Sequence, residues 1–67
     1  MQQDELRRLA AALCAQSGAP GDPLAQRLLP DGSLSAVSAC GRKFRFTVQA
    51  VQAQRRNDER RRKRSRG

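Results

Sequence analysis

The chain has 67 residues and a net charge of +8, with 14 Lys plus Arg against 6 Asp plus Glu, no His, no Trp or Tyr and only two Phe. A fold of this size buries only roughly 60% of the surface its unfolded chain exposes, so we expect one small domain, supported by self-association or by a larger assembly. With no His and two Cys, a single chain cannot supply the about four ligands of a structural zinc site, and the commonest general base of catalysis is missing.

Residues 3–17 carry the clearest pattern. Leu6, Leu9, Ala10, Leu13 and Cys14 recur at helical spacing and predict an amphipathic helix. Asp4 and Glu5 occupy its first turn, where the helix dipole favours negative charge, and Ser17-Gly18 followed by Pro20 predicts its end. Gly21-Asp22-Pro23 then reads as a second start, with Asp22 as N-cap and Pro23 at the first helical position. The expectation is a short second helical turn that packs Leu24, Leu28 and Leu29 inward and stops before the turn Pro30-Asp31-Gly32-Ser33.

Residues 34–52 predict an antiparallel β-hairpin. Phe44, Phe46 and Val48 alternate with Arg45, Thr47 and Gln49, while Leu34, Ala36 and Ser38 share one face of the preceding strand. A three-residue loop centred on Gly41 sets Leu34 opposite Val48, Ala36 opposite Phe46 and Ser38 opposite Phe44. A two-residue Cys40-Gly41 loop instead sets Val37 against Phe44, and the first register is preferred because it buries more apolar area on one face. From about residue 50 to 63 the alternation gives way to good helix formers. Asp58 precedes Arg62 by four residues and Glu59 precedes Lys63 likewise, pairs that brace a helix. The predicted fold class is therefore α+β: an amphipathic helix, a short helical turn, a hairpin, then a basic C-terminal helix or arm. Residues 1–54 form the domain and residues 55–67 the Arg-rich arm.

The charge is concentrated in that arm. Residues 55–67 hold eight basic and two acidic residues, whereas residues 1–54 hold six and four. Arg55, Arg56, Arg60, Arg61, Arg62, Lys63, Arg64 and Arg66 are nearly all Arg, whose planar guanidinium suits phosphate and stays charged at physiological pH. These eight are the expected contacts to DNA or RNA, the polymer being undetermined, since nothing in the run reads base edges. Arg42 and Lys43 at the hairpin tip, with Arg45 beside them, form a smaller patch that extends the phosphate footprint. Phe44 and Phe46 are expected in the core, and Arg7, Arg8 and Arg27 as surface charges.

Catalysis is not expected, nor is a cofactor. Asp4, Glu5, Asp22 and Asp31 occupy cap and turn positions, the serines lie in no nucleophile motif and no glycine-rich phosphate loop occurs. The polar, acidic N-terminus lacks a targeting pattern, and no apolar run approaches the ~20 residues of a membrane span, so the expectation is a cytoplasmic protein without membrane contact. Cys14 and Cys40 are expected as reduced, partly buried thiols, with a disulfide between the first helix and the hairpin as the other reading.

The order helix, Gly-Arg hairpin, helix, basic tail resembles the small head–tail joining protein family of lambda-type phages, through Gly41-Arg42-Lys43-Phe44-Arg45-Phe46-Thr47 and Val51. The resemblance implies a ring-forming structural protein at a phage portal, close to packaged DNA. The connection 18–33 is longer than in that family, and Gln54 and Asn57 stand where it has apolar residues.

Overall fold

The computed structural model describes the backbone of residues 2–65 and the side chains of residues 2–60. The order is α1 (Gln3–Gln16), β1 (Ala25–Leu28), β2 (Leu34–Val37), β3 (Lys43–Phe46) and α2 (Val48–Ser65). The strands form one antiparallel sheet in the order β1-β2-β3. The fold is α+β, with one strand more than the sequence pattern predicts.

Helix α1 forms as expected and buries Leu9, Ala10, Leu13 and Cys14. Its last turn is closed by the amides of Ser17 and Ala19, which donate to the carbonyls of Leu13 and Cys14 at 3.2 and 2.9 Å. The buried stripe meets Leu34 and Ala36 of β2, Val51 of α2 and Ala19 of the connection, with Leu6, Phe44, Phe46 and Ala50 packed around them.

The expected helical turn after Pro23 is instead strand β1. A helix confined between Pro23 and Pro30 is too short to repay its nucleation cost, and Pro30 disfavours helical backbone at Leu29. Pairing with β2 satisfies the backbone of both segments, with Gln26 opposite Ala36 and Leu28 opposite Leu34. The three leucines consequently do not all turn inward: Leu24 is 69% exposed and Leu28 39%.

The second hairpin is displaced by two residues from the expected register. Leu34 faces Phe46 rather than Val48, and Ala36 faces Phe44 rather than Phe46. The loop is Ala39-Cys40-Gly41, closed by the Ser38 amide donating to the Arg42 carbonyl at 2.8 Å. Gly41, at φ 89°, takes the last loop position, where a three-residue hairpin loop needs left-handed backbone. The first hairpin repeats this design. Leu29 closes on Ser33 at 2.8 Å, and Gly32, at φ 94°, takes the last position of the loop Pro30-Asp31-Gly32.

Closing β3 two residues early removes Val48 from the strand and places it in α2. Thr47 becomes the cap: its Oγ1 accepts from the Ala50 amide at 3.2 Å and its carbonyl from the Val51 amide at 3.0 Å. Helix α2 crosses α1. Gln16, at the end of α1, donates to Gln54 Oε1 at 2.7 Å, while Arg55 reaches Glu5 in the first turn at 3.7 Å. Those two residues of α1 are separated by roughly 16 Å along its axis, so neighbouring side chains of α2 address opposite ends of it.

Candidate nucleic-acid interface

The arm continues α2 without a break, since Gln54 and Arg55 are consecutive residues of that helix. Its root is held by Val51, 3% exposed, and by the Gln16–Gln54 hydrogen bond. Arg55 is engaged with Glu5, whereas Arg56 and Arg60 are exposed. Gln52, Arg55, Arg56 and Glu59 line a shallow groove of about 250 Å³ along the helix. Arg61, Arg62, Lys63 and Arg64 continue the helical backbone, but their side chains lie outside the described residues, as does Arg66 altogether. The expected pairs Asp58–Arg62 and Glu59–Lys63 therefore also fall outside them.

The hairpin patch is rearranged. Arg42 does not stand beside Lys43: its guanidinium carbon sits 5.4 Å from the Phe44 ring centroid, a cation–π contact. Phe44 stacks on Phe46 with centroids 5.8 Å apart and rings inclined by 10°. Both rings are half-buried against the core.

Directly opposed residues on antiparallel neighbours share a face. One face of the sheet thus carries Gln26-Ala36-Phe44 and Leu28-Leu34-Phe46, and it meets the helices. The other carries Ala25-Val37-Lys43 and Arg27-Ser35-Arg45. Its three cations are all exposed. Sequence reasoning missed this grouping, because Arg27 was expected inside a helical turn with no fixed relation to Lys43 and Arg45.

The chain matches no protein-family model, no curated protein and no solved structure.

Two polar clusters flank the sheet. At the first hairpin, Asp31 Oδ1 accepts from Ser33 Oγ at 2.6 Å and from the Ser33 amide at 3.0 Å, and Arg45 lies 3.9 Å from Oδ2. The Ser33 hydrogen bonds, with the Arg45 charge, hold the Asp31 carboxyl below its ordinary pKa. Asp31, Ser33, Arg45, Phe46, Thr47 and Val48 enclose an open cleft of about 390 Å³ at the start of α2. A carboxylate already lines it.

At the second hairpin, Ser38 is fully buried and its Oγ accepts from the Arg42 amide at 3.1 Å. The hydroxyl hydrogen is then available to Cys40 Sγ, 3.2 Å away. Hydrogen bonds from Ser38 and from the Arg42 backbone pull the Cys40 thiol below its ordinary pKa, while burial, and secondarily the nearby Cys40 charge, raise that of Cys14. Both cysteines are free thiols. Neither is partly buried as expected: Cys14 is fully buried in the core, and Cys40 is exposed because the loop centres on it. Among the described residues no three His, Cys, Asp or Glu side chains gather as a metal site would require, and no helix is long and apolar enough to cross a membrane.

Proposed function

We propose that this chain is a small non-enzymatic protein of the cytoplasm that binds DNA or RNA through backbone phosphates, with the Arg-rich half of α2 as the principal contact. The observation that carries this reading is the net +6 of residues 55–67, which begin within a helix packed against α1 through the buried Val51. Anchoring matters because a helix fixed at one end loses less freedom when its charges meet a polyanion than a free tail does. The two free thiols suit a reducing compartment.

The test is a full-length Arg56→Gln/Arg60→Gln/Arg61→Gln/Arg64→Gln variant, Gln being chosen because it preserves helix propensity. Binding of labelled duplex DNA and structured RNA is measured at several salt concentrations. Loss of four phosphate contacts lowers the slope of log K against log salt by roughly 3 to 4. Unchanged affinity and slope would sink the proposal.

A second reading, a protein-binding module of a larger assembly such as a head–tail joining ring, is favoured by Leu24 and Leu28, exposed on or beside edge strand β1. Under that reading, sedimentation finds a stable oligomer without nucleic acid, and nucleic-acid binding is weak and insensitive to salt.

A further inference from the structure

We infer that the open face of the sheet, formed by Arg27, Ser35, Arg45 and Lys43, is a second phosphate-binding surface fitted to double-helical DNA. This rests on the nucleic-acid reading above and adds to it a separate surface and a form of the polymer.

The topology makes the surface. Helices α1 and α2 bury the face that carries Leu34 and Ala36, so the cations stand on the face away from the core, with Arg45 at its edge also lining the cleft beside Val48. Arg27, Ser35 and Arg45 form one cross-strand row, and Lys43 lies two residues before Arg45 on the same face. The row places a hydroxyl between two guanidinium groups. One acid stands at the rim, Asp31, at 3.9 Å from Arg45 with both side chains well exposed. An ion pair so open to water is worth little and yields readily to a phosphate.

The same geometry narrows the polymer. Single-strand binders that use a sheet stack bases on aromatic side chains of the open face. Here both Phe rings belong to the core face, and the open face presents Ala25, Val37, Ser35 and cations. It can meet phosphates but offers no platform for a base. A duplex, whose bases are already stacked and whose phosphates face outward, needs no platform. Arg27 and Arg45 lie two strand spacings apart, roughly 10 Å between backbones. That separation suits the rims of the B-form major groove, about 12 Å apart.

The experiment compares the full-length wild type with Arg27→Gln/Lys43→Gln/Arg45→Gln, with Arg27→Lys/Arg45→Lys, and with the four-site arm variant. Fluorescence anisotropy is read on labelled duplex DNA, on duplex RNA of the same sequence and on oligothymidylate, with circular dichroism confirming the fold of each variant. Loss of three phosphate contacts should lower the salt slope on duplex DNA by about 2 to 3 and weaken binding on the order of 10²-fold at 0.1 M salt. The lysine variant keeps the charge and should keep most of the slope. A triple variant that binds like the wild type, beside an arm variant that does not, overturns this surface and leaves the arm reading standing. A wild type that binds none of the three probes overturns both. If the triple substitution weakens duplex RNA or oligothymidylate as much as duplex DNA, the assignment to DNA is wrong.

Discussion

Ser38→Ala perturbs the second hairpin at its most constrained atom. Ser38 is fully buried, and its hydroxyl is the partner of the Arg42 amide and a neighbour of Cys40 Sγ. Alanine leaves the backbone bonds of the loop in place but strips that amide of its acceptor. The Arg42 amide makes a part-buried hydrogen bond at an exposed loop residue, and losing such a bond costs about 0.5–1.5 kcal/mol, against the roughly 3–10 kcal/mol that a chain of this length can have. The melting temperature, followed by circular dichroism, should fall by roughly 2–12 °C. The same substitution removes the principal hydrogen bond that lowers the Cys40 pKa, so the midpoint of thiolate absorbance against pH should rise toward the ordinary thiol value. A Cys40→Ser control identifies the titrating group. Because the folded Cys40 pKa is depressed, its contribution to stability is full above the unfolded thiol pKa and is lost progressively as pH falls through the folded value. The stability loss of Ser38→Ala should therefore persist at pH values below the measured Cys40 midpoint of the folded protein, where the thiol is protonated in both states. A variant with unchanged melting and unchanged thiol midpoint would refute the bonding scheme assigned to the loop.

Two further outcomes are expected. Gln26 Oε1 is buried on the core face of β1 without a hydrogen-bond partner among the described residues, so Gln26→Leu should stabilise the fold by about 1–2 kcal/mol in chemical denaturation; a loss of stability would contradict that placement. Asp31, with its depressed pKa, contributes stability above the ordinary Asp value of about 4, and this is lost as pH falls through the folded pKa. Carboxyl carbon shifts in an NMR titration should place the Asp31 midpoint below that value, and Ser33→Ala should raise it; a midpoint that does not move in Ser33→Ala is the contrary result.

The two hairpins show how far local signals carry. Gly32 and Gly41 lie nine residues apart and hold the same loop position with the same backbone sign. Regular turn spacing of that kind is a strand signal, and it was present in the sequence. Asp22-Pro23 points the other way, but it reads as a helix start only while β2 is ignored. The register had no such signal. Shifting a hairpin by two residues keeps Leu34, Ala36, Phe44 and Phe46 on one face, so the apolar pattern is equally content with either pairing. The buried Ser38 hydroxyl and the left-handed Gly41 decide between them.

From the sequence alone follow the first helix, the α+β class, the concentration of charge in residues 55–67 and the core role of the two Phe, because periodicity and net charge are local properties of a chain. Only the tertiary structure decides that residues 25–28 are a strand, that Arg42 turns to Phe44, and that Arg27 joins Lys43 and Arg45 on one open face. Those outcomes depend on which backbone groups pair across 6 to 12 residues of chain. Hydrogen bonding between distant segments, rather than any local preference, makes that choice.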